Sequence, residues 1–137
     1  MILILEDNTD RVASFRATLT RKAPGMSVMF WSDARAMIRE VGPHLPACRA
    51  ISLDHDLYVP LGAPDPGDGL EVAKFLVTQP IVRPVIVHSS NADRAQHMVG
   101  EFQLASWPCR RVLPFGDRWV QDDWWPQVEQ ILSGCGC

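Results

Sequence analysis

No stretch of the chain approaches the ~20 consecutive apolar residues that a membrane-spanning helix needs, so no span is expected. Charge is nearly balanced: the formal net charge is −3, spread along the chain. That argues against a basic face gripping bulk DNA and leaves a single nucleotide open as ligand. No internal repeat or low-complexity segment occurs, so solenoid and linker architectures are excluded. Met1–Leu5 runs straight into two carboxylates and has no charged n-region, so it reads as a first strand and the expected compartment is the cytoplasm. Cysteine is sparse. Without an export signal, Cys48, Cys109, Cys135 and Cys137 are expected as reduced thiols. Cys135-Gly136-Cys137 puts two thiolates one residue apart, which does not complete a metal site, and residues 135–137 read as a frayed tail.

What is present is an ordinary globular composition, 47% hydrophobic and 21% charged, in 137 residues. That length makes one domain, placed at residues 1–134. Strand-like and helix-like runs alternate from end to end. Ile2–Leu5 precedes a helix capped by Asn8 or Thr9, with Val12, Phe15 and Leu19 at helical spacing. Ser27–Trp31 precedes a helix capped by Ser32 or Asp33 and stopped by Gly42-Pro43. Ala50–Asp54 is a third strand. Leu57–Gly69, with three prolines and three glycines, is a loop leading to a helix capped by Asp68. Pro84–Val87 is continuously apolar, as in a strand covered on both sides. The next helix is capped by Ser90 or Asn91, and Ser90 with Asp93 resembles a capping box. Arg111–Leu113 is the expected fifth strand, and the last helix is expected to start near Asp122 or Asp123. Five β-α units with right-handed crossovers predict a three-layer α/β domain: a flavodoxin-like, doubly wound parallel sheet of order 2-1-3-4-5.

Chemistry-bearing residues gather just past three apolar runs: Glu6-Asp7, Asp54-His55-Asp56 and His88-Ser89-Ser90-Asn91. The C-terminal strand ends of such a sheet line the ligand crevice. Carboxylates converging there repel one another unless a cation neutralises them, and hard oxygens suit Mg²⁺ or Mn²⁺. Glu6, Asp7, Asp54 and Asp56 are the candidate metal ligands. Asp10, Asp33, Asp68, Asp122 and Asp123 are better read as caps and turn residues.

An acidic pair after strand one, an Asp after strand three, Asp68-Gly69-Leu70-Glu71 opening a helix and a Ser after strand four together resemble the receiver domain of bacterial response regulators. The resemblance implies that Glu6 and Asp7 hold Mg²⁺, that Asp54 ligates it or accepts a phosphoryl group, and that Ser89 contacts phosphate. Receivers carry a Lys before the Pro after strand five; here Leu113 precedes Pro114. With Leu53–Asp56, His88–Asn91 and Pro114–Asp117, the chain most resembles a divergent group, the cyclic-phosphate processing receiver domains. Membership implies action on cyclic phosphates.

For such chemistry Asp54, His55, His88 and Ser89 are the candidate catalytic residues, and Ser89, Ser90 and Asn91 the candidate phosphate contacts. The histidines are suited to base and acid roles at neutral pH. Strict alternation, however, puts His55 and His88 on the side of the sheet opposite Asp54 and Ser89. The expected substrate is a phosphate-containing small molecule or an RNA end. A signalling receiver phosphorylated on Asp54, or a non-catalytic nucleotide-binding module, is the alternative. In that case a protein partner would use the last-helix face, where Trp119, Trp124 and Trp125 cluster.

Overall fold

The computed structural model describes residues 1–134; Cys135 and Cys137 lie outside them. Five parallel strands form one sheet of order β2-β1-β3-β4-β5. They are β1 (Ile2–Leu5), β2 (Val28–Trp31), β3 (Ala50–Leu53), β4 (Val85–Val87) and β5 (Cys109–Arg111). The helices are α1 (Thr9–Lys22), α2 (Ala34–Glu40), α3 (Gly69–Leu76), α4 (Ala92–Leu104) and α5 (Trp125–Leu132). The predicted doubly wound architecture is what forms.

Both faces of the central strands are covered, which is why they lack polar alternation. Ile2 and Ile4 of β1 pack with Phe15, Leu19, Trp124 and Val128 in the layer made by α1 and α5. Leu3 and Leu5 point the other way, onto Met37, Val72, Leu76, Met98 and Phe102 of α2, α3 and α4. Asn8, Asp33, Asp68 and Asn91 cap the first four helices, each side chain accepting the amide three residues on. The Ser90–Asp93 box does not form, because Asn91 takes the cap. No described helix is long and apolar enough to cross a membrane.

β2, β3 and β4 match the expectation to within one residue, and two elements are displaced further. β5 lies two residues earlier, because its register pairs Val85 with Cys109 and Val87 with Arg111. As an edge strand it needs only partial cover: Cys109 is half-buried, and Arg110 spends its guanidinium on Gln127 and Gln130. The last helical segment begins at Val120 with one π-helical turn, Val120–Trp124, before α5. Neither Asp122 nor Asp123 caps it. Burial decides the start instead, since Trp119, Val120, Trp124 and Trp125 all enter the core. A 3₁₀ turn at Gly42–Ala47, absent from the sequence reading, follows α2. The described cysteines, Cys48 and Cys109, are free, with thiols pushed up by burial to about 11 and about 12.

Candidate functional site

Three carboxylates converge where β1 and β3 end. β1 and β3 pair in register, Leu5 beside Leu53, so the residues that follow, Glu6 and Asp54, emerge together. One oxygen each from Glu6, Asp7 and Asp54 lies within 4.8 Å of the others. Glu6 and Asp54 are buried and Asp7 is half-buried. Burial, with the negative charges of Glu6 and Asp7 beside it, pushes the Asp54 carboxyl up to about 8. The cluster thus carries more negative charge than the protein compensates.

Arg11 is the cation nearest to it. Its Nη1 lies 3.5 Å from Glu6 Oε1 and 3.5 Å from Asp54 Oδ2, and its guanidinium sits 5.6 Å from the Trp119 ring centroid. Glu6, Asp7, Arg11, Asp54, Asp56, Tyr58 and Ser90 line a cavity of about 550 Å³ at this end of the sheet.

His88 stands behind the cluster. Register pairs Leu53 with Val87, so the neighbour of Asp54 in β4 is His88, not Ser89. The expected alternation was therefore out by one residue for β4: His88 shares a face with Glu6 and Asp54. Its ring is fully buried, 5.8 Å from Trp119 in a stacked arrangement and edge-on to Phe15. The Trp124 indole N–H donates to Ser52 Oγ (3.0 Å), and Ser52 Oγ lies 2.6 Å from His88 Nδ1. His88 Nε2 lies 3.1 Å from Glu6 Oε1. The Glu6 carboxylate can only accept, which makes Nε2 the protonated nitrogen; in the neutral ring Nδ1 then accepts the Ser52 hydroxyl proton, while the Ser52 oxygen accepts the indole N–H. Burial favours this neutral imidazole and lowers the His88 pKa. For Glu6, burial pushes up, but hydrogen bonds from His88 and the Asn8 amide, with the Arg11 charge, hold it below the usual range.

His55 faces the opposite layer, as alternation predicts. Its Nδ1 is 2.7 Å from Asp56 Oδ1, and its Nε2, buried without a hydrogen-bond partner, is 3.6 Å from Asp68 Oδ2. Asn91 Nδ2 donates to the other Asp56 oxygen at 3.2 Å. The hydrogen bond from His55 first, and that from Asn91, hold Asp56 below the usual carboxylate range. Ser89 is buried and its Oγ accepts the Asn91 amide at 3.2 Å, bracing the turn into α4, while exposed Ser90 reaches the cavity.

The proline-rich loop forms one wall. The Tyr58 amide donates to Asp7 Oδ2, and Pro66 O accepts the amides of Ala34 and Arg35, so the loop is fastened at both ends. Gly69 closes it: a Cβ there would lie 2.0 Å from the Asp54 carbonyl oxygen. Trp119, Trp124 and Trp125 are buried in the layer of α1 and α5.

Two members of the site escaped the sequence reading. Arg11 lies in the first turn of α1, where the helix dipole disfavours a cation, and that broken rule was its signal. Ser52 sits within an apolar strand, as a buried polar residue in want of a partner.

Residues 1–103 match the model of the cyclic-phosphate processing receiver domain. The chain belongs to this family. No curated protein matches the chain. Among solved structures, this cyclic-phosphate processing receiver domain is similar to the response regulator domain of Thermotoga maritima CheB, with TM-score 0.70 and 14% identity over 96% of this chain and 95% of that one. It is also similar to the isolated REC domain of RcsB from Salmonella enterica serovar Typhimurium with BeF3-, with TM-score 0.69 and 18% identity over 99% and 90% of the two chains. The Mn²⁺-bound form of response regulator Rcp1 gives TM-score 0.63 and 20% identity over 96% and 91%. At these identities the likeness shows the fold alone. The family match takes in the strand-end residues from Glu6 to Asn91, whereas Trp119 and Trp124 lie beyond it.

Proposed function

We propose that this domain processes cyclic phosphates in the strand-end cavity, with a divalent cation, Mg²⁺ or Mn²⁺, held by Glu6, Asp7 and Asp54. The observation that carries the reading is the carboxylate cluster itself. Its three oxygens lie within 4.8 Å of one another, and burial beside Glu6 and Asp7 pushes Asp54 up to about 8, as expected of a hard-oxygen site lacking its counter-charge. The family's name and the Mn²⁺ of the Rcp1 structure point the same way. Such a cation, when bound, supplies Lewis acidity toward a phosphoryl oxygen and acidifies a water.

The chain's own residues divide the remaining work. Asp56, held by His55 on one oxygen and Asn91 on the other, faces the cavity and takes the proton of the attacking water. Ser90 on the cavity wall hydrogen-bonds a non-bridging oxygen, and Ser89 and Asn91 fix the turn that presents it. Neither imidazole lines the cavity, so both act through carboxylates: His55 positions Asp56, and His88 positions Glu6. The ring-opened alkoxide takes its proton from solvent at the open mouth.

The test is ring opening of a 2′,3′-cyclic nucleotide with Mg²⁺ or Mn²⁺, followed by chromatography. Turnover is expected, with a loss of about a hundredfold or more in Asp56→Asn; no ring opening by the wild type overturns the reading. Asp54 at the receiver acceptor position favours a second reading, phosphoryl transfer to Asp54. A small phosphodonor then adds one phosphoryl mass, absent in Asp54→Ala, and no adduct overturns it.

A further inference from the structure

Arg11 has no role in the scheme above, yet it is the cation in direct contact with the cluster. Its Nη1 sits 3.5 Å from one oxygen of Glu6 and 3.5 Å from one of Asp54. Charge-assisted pairs that lock a guanidinium are shorter, about 2.7–2.9 Å, and commonly bidentate. Here a single nitrogen leans on two carboxylates, and the other two guanidinium nitrogens have no hydrogen-bond partner among the described residues. The side chain is 27% exposed where it lines the cavity. Its guanidinium is braced from behind by the Trp119 ring, 5.6 Å away, an aromatic face that attracts a cation without fixing its hydrogen bonds.

A divalent cation and this guanidinium compete for the same carboxylates, Glu6 and Asp54. Two positive centres do not share two carboxylates in a buried pocket without strong repulsion. Arg11 is anchored in the first turn of α1 and lines the cavity, so a guanidinium displaced by a cation stays within reach of a ligand there, and its planar fork of donors is complementary to a phosphoryl group. Leu113, 53% exposed, occupies the place where receivers present a lysine, and Arg110 is committed to Gln127 and Gln130. Among the described residues, Arg11 is the cationic side chain that lines the cavity.

The geometry points to Arg11 as an exchangeable counter-ion: it neutralises Glu6 and Asp54 when no metal is bound, and becomes the phosphate ligand when a divalent cation displaces it. Metal and phosphate are then coupled through one side chain. The cation frees the fork that binds the anion, and the anion in turn holds the fork away from the cation's ligands, so each raises the affinity for the other. This inference rests on the metal-and-phosphate reading of the cavity.

Titration calorimetry with Mn²⁺, and separately with inorganic phosphate in the presence of saturating Mg²⁺, tests it on wild type and Arg11→Gln. The variant is expected to bind Mn²⁺ about tenfold more tightly, having lost its internal competitor, and phosphate about tenfold more weakly. Opposite signs cannot come from a misfolded protein, which would lose both. Arg11→Lys keeps the charge without the fork, and is expected to leave Mn²⁺ affinity near wild type while weakening phosphate. Mn²⁺ binding unchanged or weaker in Arg11→Gln overturns the exchange, and phosphate binding unchanged overturns the ligand role. Both results leave the metal reading intact if the wild type binds Mn²⁺. A wild type that binds no Mn²⁺ defeats that reading and this inference together.

Discussion

His55 and His88 each lie just past an apolar strand and both are buried, but they occupy opposite faces of the sheet. On the α1/α5 face, His88 has both ring nitrogens engaged, one with Ser52 and one with Glu6, inside a shell of Phe15, Trp119 and Trp124. On the α3 face, His55 has one nitrogen on the exposed carboxylate of Asp56 and the other without a hydrogen-bond partner. One residue type in one topological position does two jobs. The deep histidine fixes a carboxylate of the Glu6–Asp7–Asp54 cluster. The shallow one fixes a carboxylate at the solvent side of the cavity.

The contrast can be broken by substitution. His88→Ala is expected to have the largest effect. It leaves a cavity and strips partners from buried Ser52 and Glu6, for a loss of about 3–4 kcal/mol in urea unfolding. Gly69→Ala strikes the seam between the faces, where the added Cβ meets the Asp54 carbonyl backbone at 2.0 Å. We expect a loss of about 2–3 kcal/mol and weakened Mn²⁺ binding, since the strain moves Asp54 itself.

Asp54→Asn goes the other way in metal-free buffer. The folded carboxyl is raised to about 8 from its ordinary value of 3.8, so between those values the folded state binds the extra proton. Asp54 then contributes stability that is complete below about pH 4 and is lost as pH rises toward about 8. His88, lowered by burial, acts with the opposite sign in the same window, so the comparison is with Asp54→Asn: the wild-type urea midpoint relative to the variant should fall across that window, and Asp54→Asn should gain about 2 kcal/mol at pH 8. A difference between the two that does not change with pH would show that Asp54 is ionised throughout. The smallest effect is expected from His55→Ala, about 1 kcal/mol, because its partner Asp56 is exposed and can turn to water. Parity of the two histidine variants would erase the contrast.

Most of this fold was legible because four strands are apolar runs and four of the helices carry periodic signals and side-chain caps. Asn8, Asp33, Asp68 and Asn91 were all among the expected capping residues. β5 was misplaced because an edge strand with one neighbour need not be apolar, and Cys109–Arg111 is not. The last helix was started late because its entry is set by tryptophans docking into the core, a tertiary effect, rather than by a cap. At the site, the carboxylates were legible from their strand-end positions. The side on which His88 falls was not, since it depends on which residue of β4 stands beside Leu53. Arg11 was missed because its partners, Glu6 and Asp54, come together only through the sheet.

The hydrogen-bonded path from Trp124 through Ser52 and His88 to Glu6 joins the last π-helical turn to the end of β1. During synthesis, Glu6 is made well before the indole that completes the path. Until the π-helical turn at Val120–Trp124 docks, Ser52 has no donor to set its hydroxyl, and His88 lacks the Trp119 ring that screens it from water. Without that turn Glu6 still accepts the Asp7 and Asn8 amides, but the histidine that faces its other oxygen has lost its screen. The carboxylate cluster is thus completed only when a segment made much later docks behind it, which ties the geometry of Glu6 to closure of the domain.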